Sequence, residues 1–396
     1  TSEHENLALS VVPDWKPAGP LSTHPQYMSC TNYGPSVVGD LFMSRQALAL
    51  DTFGQLLPQV HALVVKDANS RAVDDSDSLL LEDGGSGVLA YADAICVYLG
   101  IGISRLANRQ STNTFWDTAA QKIQQVFARH ALPFMWDTAE GNPFSSSSGN
   151  FIGQLEYLAK SVAALPARPA GAANQVTAQS ANYLGKVVST DPPYYDNVPY
   201  ADLSDFFYVW LRRSLFDYQP SLFSTMLVPK SEELVANHLR AGSKEAAEQF
   251  FLNGMQSVIA KIATESELTT PVTVYYAFRQ SDTSEGGTIS TGWETFISAV
   301  VDSGFSITGT WPVRTELIGN LKKNWNALAS SIVLVCRKRD PKAPTISRRD
   351  FQRELRDEMP EALETMIGSK LGVTPIAPVD LAQSAIGPGM AIFSRY

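Results

Sequence analysis

One short stretch of the sequence combines residue types that could do chemistry: Asp191-Pro192-Pro193-Tyr194. Two consecutive prolines fix two φ angles and remove two backbone N–H donors. The carbonyls of Pro192 and Pro193 can then be held out as acceptors. The Asp191 carboxylate adds a charged acceptor, and Tyr194 adds a flat aromatic face. This set suits the exocyclic amine of a nucleobase, a poor nucleophile because its lone pair is delocalised into the ring. Two acceptors that each take one N–H hydrogen favour a tetrahedral nitrogen with its lone pair aimed at an electrophile. An aromatic ring holds the base by stacking once it has left the helix. The matching electrophile is a methyl sulfonium, transferred in a single displacement to which a protein contributes mainly positioning and electrostatics. The competing reading of the tetrapeptide is a proline-rich turn after a strand.

The elements that must position it can be read from periodicity. Lys186-Val187-Val188-Ser189-Thr190 reads as a strand running directly into Asp191, and in an open α/β sheet ligands bind at the carboxyl ends of strands. Ser204 to Leu215 reads as an aromatic-rich helix. Residues 244–264 read as a helix, with Ala247, Phe250-Phe251, Met255, Val258-Ile259 and Ile262 on one face. Strands are expected at Val272–Phe278, Phe305–Trp311 and Ser331–Cys336, with a helix from Thr291 to Val301 between the first two. Strands alternating with helices predict an α/β layered sheet over residues 181–340. Residues 341–396 read as a charged helix near Arg349–Ile367 and a Pro/Gly-rich tail.

The first 180 residues have a different character and read as mainly helical. Residues 1–40 suggest an irregular arm. A helix from Ser44 to Leu57 is expected to kink or end at Pro58. Residues 67–87, acidic and ending in Leu81-Glu82-Asp83-Gly84-Gly85-Ser86-Gly87, suggest a mobile loop. Helices are expected at Val88–Leu106 and Thr118–His130, and an Ala/Pro/Gly-rich joint at 165–180.

Composition narrows the class. The chain is 44% hydrophobic and 18% charged, the profile of a soluble globular protein. No run of about 18 consecutive apolar residues suggests a membrane span, and Cys30, Cys96 and Cys336 form neither a CxxC pair nor a disulfide framework. No metal site is indicated, and a reducing cytoplasm fits. The net charge of −9 argues against broad non-specific nucleic-acid binding but leaves room for a local basic groove. Candidates for one are Arg212-Arg213, Lys322-Lys323, Arg337-Lys338-Arg339 and Arg348-Arg349.

The tetrapeptide resembles the (D/N/S)-PP-(Y/F) signature of amino-methyltransferases. The longer run Asp191-Pro192-Pro193-Tyr194-Tyr195-Asp196-Asn197-Val198-Pro199-Tyr200-Ala201-Asp202-Leu203-Ser204-Asp205-Phe206-Phe207-Tyr208-Val209-Trp210-Leu211-Arg212-Arg213 is similar to the large bacterial and archaeal adenine-specific DNA methylases that carry an N-terminal domain of unknown function. The likeness extends to Met135-Trp136-Asp137 with Asn142-Pro143-Phe144, to Trp311-Pro312-Val313-Arg314-Thr315-Glu316 and to residues 326–335. It implies a Rossmann-like class I methyltransferase sheet, S-adenosylmethionine as cofactor and DNA as partner. Asp at the first motif position implies adenine N6, where Ser would imply cytosine N4. Asp191, Pro192, Pro193 and Tyr194 would be catalytic, with Asp191 and Pro192 also touching the cofactor. Tyr195, Asn197, Tyr200, Asp205, Tyr208 and Arg314 would bind substrate. For Asp202, Asp205 and Tyr208 the alternative is helix capping and core packing, for Arg314 a structural ion pair, and Trp136 and Trp311 read as core aromatics.

The same resemblance calls for a strand ending in a cofactor-binding glycine loop. The one stretch that offers the glycines, Leu79 to Gly87, lacks a proper preceding strand. The loop is therefore expected upstream of Thr1, the chain is expected to be a fragment whose partner is the preceding part of the same polypeptide, and its sheet is expected to have fewer than the family's seven strands. Methylation of RNA or of protein glutamine, and a non-catalytic nucleic-acid-binding fragment, stand as alternatives.

Overall fold

A computed structural model describes residues 2–71, 77–166, 171–193, 195, 198–267, 269–276, 291–314, 330–367 and 387–396. The chain divides into two compact units. Unit 1 comprises Thr1–Gln175 with Pro199–Glu233, and unit 2 comprises Val176–Val198 with Leu234–Tyr396.

Unit 1 is helical apart from one hairpin. Its elements are α1 (Ser2–Leu9), α2 (Ser44–Gln55), α3 (Leu57–Ser70), α4 (Val88–Ala107), β1 (Phe115–Asp117), β2 (Lys122–Gln124), α5 (Phe151–Ala164) and α6 (Tyr200–Leu215). Helix α4 is the axis: it packs against α2, α3, α5 and α6. Its glycines permit this closeness, because a Cβ at Gly100 would lie 2.5 Å from Leu215 and one at Gly102 2.6 Å from Leu155. The aromatic end of the core is Phe206 and Trp210 of α6, both fully buried, with Phe42 stacked on the first at 5.3 Å and edge-on to the second at 5.0 Å. Two stretches, Ser44–Ser70 and Val88–Ala107, have the length and hydropathy of membrane-crossing helices. The first is interrupted between α2 and α3, and α4 buries Ala92, Cys96, Ile103 and Leu106 inside unit 1.

Unit 2 is an α/β layer. It contains β3 (Ser189–Thr190), α7 (His238–Ala241), α8 (Lys244–Glu265), β4 (Val272–Tyr276), α9 (Thr291–Asp302), β5 (Phe305–Arg314), β6 (Ser330–Lys338) and α10 (Arg348–Ile367). The sheet order is β3-β4-β6-β5, with β3 parallel to β4 and β6 antiparallel to both of its neighbours. β3, β4 and β5 therefore run in one direction. One face of the sheet carries the core: Val272, Val274 and Tyr276 of β4 pair with Cys336, Leu334 and Ile332 of β6, and Phe251 and Met255 of α8 and Phe296 and Val300 of α9 pack in the same core. Burying a side chain such as Phe251 contributes roughly 1.5–3 kcal/mol. Helix α8 starts where Ser243 Oγ accepts the Ala246 N–H at 3.0 Å, a side-chain N-cap.

Several sequence expectations are revised. Thr118–His130 is not a helix: β1 and β2 form a hairpin around a turn in which Gln121 has φ 49°. Asp117 causes this, because its carboxylate accepts the N–H groups of Ala119 and Ala120 and the side chain of Gln124, giving the backbone a local alternative to the helix. Pro58 does end the first helix, but it also opens α3 at its first turn, where a missing N–H costs nothing. The described part of the 67–87 stretch is not a loose loop. Residues 67–70 finish α3, and Asp77 accepts from Leu79 N, Ser86 N and Ser86 Oγ at 2.7–3.0 Å.

Trp136 and Trp311 are not core residues. Trp136 is 78% exposed and meets Tyr33 and Phe134 edge-on, while Trp311 is 67% exposed. The cause at Trp311 is a bulge between Ile307 and Gly309. A one-residue slip flips every later side chain to the other face, so Thr310 pairs with Leu334 of the core and Trp311 turns away beside Val333. The division of the chain also differs from the expected break at 180. Pro199–Glu233 belongs to unit 1, because α6 packs on α2 and α4, and the tail beyond 341 belongs to unit 2.

Candidate active site

The Asp191–Pro193 turn leaves the carboxyl end of β3, whose Ser189 and Thr190 pair with Thr273 and Val274 of β4. The approach to the turn is tied on both sides. Thr273 N donates to Val188 O at 3.1 Å and Thr273 Oγ1 to Ser189 Oγ at 2.9 Å. Glu265, at the end of α8, accepts from Tyr183 N on its carboxylate and from Gly185 N on its carbonyl. Asp191 itself is exposed, and Pro192 and Pro193 are half-buried. A charged acceptor thus projects at the strand end while the prolines anchor the turn into the layer.

The exit from the turn is fixed as firmly. Tyr195 has φ 29°, in the left-handed region that non-glycine residues rarely occupy. Its carbonyl accepts Ala236 N–H at 2.8 Å, and its half-buried ring meets Phe251 edge-on at 5.3 Å. These contacts hold a strained residue in place, a pattern that clusters at sites needing a preset geometry. A cavity of about 160 Å³ runs from Thr190, Asp191, Pro192 and Pro193 into the apolar layer beneath. Deep in it sits Cys336, whose thiol burial pushes up to about 12.

The remaining expected substrate residues fall into three groups. Tyr200, Asp205 and Tyr208 lie on α6 in unit 1, whereas Asp191, Pro192, Pro193 and Tyr195 lie in unit 2. Tyr194 and Asn197 lie outside the described residues, as does the side chain of Arg314 at the end of β5. Asp205 is buried, accepts Val228 N–H at 2.9 Å and lies 2.7 Å from Lys230 Nζ. Burial raises its carboxyl above the ordinary value, with Lys230 opposing. Tyr208 Oη donates to Thr225 O at 2.8 Å, and Asp202 accepts Ser22 Oγ at 2.6 Å. These side chains fasten residues 22 and 225–230 to α6. Lys230 was not foreseeable from the sequence, since its partner is twenty-five residues away in a segment without periodicity. Of the candidate basic groups, Arg213 pairs with Asp51 at 2.7 Å, Arg212 donates to Thr225 O, and Lys338 reaches Ser266 O at 3.3 Å. Lys322 and Lys323 lie outside the described residues.

Gly85 and Gly87 do not fit a cofactor cradle. A Cβ at Gly85 would lie 2.1 Å from Leu79 O and one at Gly87 1.9 Å from Asp77 O. The space is filled by the turn's own backbone, and the Asp77 carboxylate, held below its usual value by the Leu79 and Ser86 N–H groups, already takes the donors a phosphate or carboxylate would need. No protein-family model, curated protein or solved structure matches this chain.

Proposed function

We propose that unit 2 carries the amine-binding turn of an S-adenosylmethionine-dependent DNA methyltransferase acting on adenine N6, on a Rossmann-like class I sheet. The observation that carries the reading is the position of Asp191-Pro192-Pro193: an exposed carboxylate and two donor-free prolines directly past the carboxyl end of a strand with a parallel neighbour in an α/β layer. The common direction of β3, β4 and β5, with helices α8 and α9 on one face, supports the sheet type. The resemblance of residues 191–213 to adenine-specific methylases supports the substrate.

In this reading Asp191 accepts one hydrogen of the adenine amine and a proline carbonyl accepts the other. Both interactions strengthen as the nitrogen becomes tetrahedral, so they lower the barrier rather than merely hold the base. The Asp191 carboxylate also faces the positive charge that develops on that nitrogen. Tyr194 offers its ring to the extruded base, worth about 1–3 kcal/mol in stacking. The cofactor would supply the methyl group. Gly85 and Gly87 open no cradle for it, so S-adenosylmethionine is expected to bind this chain only weakly, and micromolar affinity in calorimetry would contradict that expectation.

The test is a transfer assay with labelled S-adenosylmethionine and the full-length protein on unmethylated DNA, RNA and protein. Label recovered as N6-methyladenine in DNA is expected. Label in RNA, in protein glutamine or on cytosine N4, or none on any of them, would overturn the assignment.

A further inference from the structure

The cavity beneath the Asp191–Pro193 turn differs chemically from a base pocket. Its volume is about 160 Å³, and its walls are Met255, Val258 and Ile259 of α8, Val274 of β4, Val300 of α9 and Cys336 of β6. All six are at most 7% exposed. Among the described lining residues the polar side chains besides the Cys336 thiol are those of Thr190 and Asp191 at the turn. The void has a packing cause: slender Val and Ile side chains line it from a helix and a strand, where a larger residue would close the gap.

Water is a poor occupant here, because a buried water needs two to four polar partners and, among the described residues, the deep walls offer a thiol alone. A nucleobase is poor for the same reason, since its ring nitrogens would be desolvated without partners. Apolar cavities of about 150 Å³ do take up benzene or xenon. We propose that this cavity is a binding site for a small apolar molecule, of the size of benzene to indole, entering past Pro192 and Pro193. The site lies beneath the amine-binding turn, whose Asp191, Pro192 and Pro193 line its mouth, and it stands whether or not the methyltransferase reading holds.

The experiment uses the full chain and two probes, benzene and indole, with imidazole as a polar control of similar shape. Benzene is expected to bind saturably in calorimetry, with indole competing, and to raise the unfolding midpoint by a few degrees at ten times its Kd, as any ligand specific to the folded state does. Hydrogen exchange should slow in α8 and β4. Imidazole should do neither. Val274→Phe, or Ile259→Phe if the first does not fold, fills the void and should abolish the benzene response. No saturable binding by the unmodified chain up to the solubility of benzene, an equal response to imidazole, or a benzene response that survives the filling substitution would each overturn the proposal.

Discussion

Each of the two units of this chain is held together internally, and by different means. Among the described residues, nearly every buried polar side chain lies in unit 1, including Gln46, Asp51, Asp93, Gln110, Asn113, Asp202 and Asp205, whereas unit 2 buries only Ser266 and Ser394. In unit 1 such groups are cross-links. Asp93 joins His61 at 3.0 Å to Leu81 N at 3.0 Å, and Asp51 joins Arg213 to Gln55. The core of unit 2 is an apolar layer, and its Asp191 carboxylate stands exposed at a strand end. The lesson is a division between directional and undirected cohesion. Directional bonds fix which helix meets which in unit 1, while in unit 2 undirected packing supports one exposed acidic turn.

The sharpest way to break this contrast is a core truncation in unit 2. Phe251→Ala should cost about 3–5 kcal/mol, the range for buried aromatics. Because Tyr195 rests on that ring, the Asp191 turn should loosen with it. Hydrogen exchange at β4, β6 and residues 188–195 reads both effects, and unchanged protection there would mean that packing does not hold the turn. Next in size is a polar deletion in unit 1. Asp93→Ala leaves the Leu81 N–H and the His61 ring without their acceptor and should cost about 1–3 kcal/mol in denaturant unfolding. A loss within error would show that the polar links of unit 1 are incidental.

The smallest effect sharpens the comparison through pH. The Asp77 carboxyl is held below its ordinary value by N–H groups of Leu79 and Ser86. A depressed carboxyl contributes stability that is present above its unfolded pKa, about 4, and is lost as pH falls through the folded value. Asp77→Ala should therefore lower the unfolding midpoint slightly at pH 7, with the difference closing as pH drops below about 4. A gap that stayed constant, or widened in acid, would contradict the role given to the carboxylate.

Much of unit 2 was legible in the sequence because its signals are periodic. Ala247, Phe251, Met255, Val258 and Ile262 recur at helical spacing, the residues of β4 alternate, and β6 is a short apolar run. The regions that were not legible share a cause: a single local or long-range interaction overrides the pattern. Asp117 turns an apparent helix into a hairpin, and the bulge at Ile307/Gly309 sends Trp311 outward against the alternation that Phe305 and Ile307 set up. Helix α6 was readable as a helix, but not as part of unit 1, because its membership depends on Phe206 and Trp210 meeting Phe42 more than 160 positions away. At the candidate site, Asp191 at a strand end followed from the order of residues. The cavity beneath it could not, since a void belongs to several elements at once and to no residue.

The central claim is that Asp191 holds a reacting amine, and turnover of Asp191 variants on adenine-containing DNA tests it most directly. Removing one charged acceptor from a reacting centre costs on the order of 3–4 kcal/mol, roughly 10²–10³ in kcat. Asp191→Ala should fall by at least that much, with the hydrogen exchange of β3 and β4 unchanged because the side chain is exposed. Asp191→Asn, which keeps one acceptor oxygen without the charge, should fall less. A kcat near that of the unmodified protein in Asp191→Ala, with the fold intact, would contradict the account.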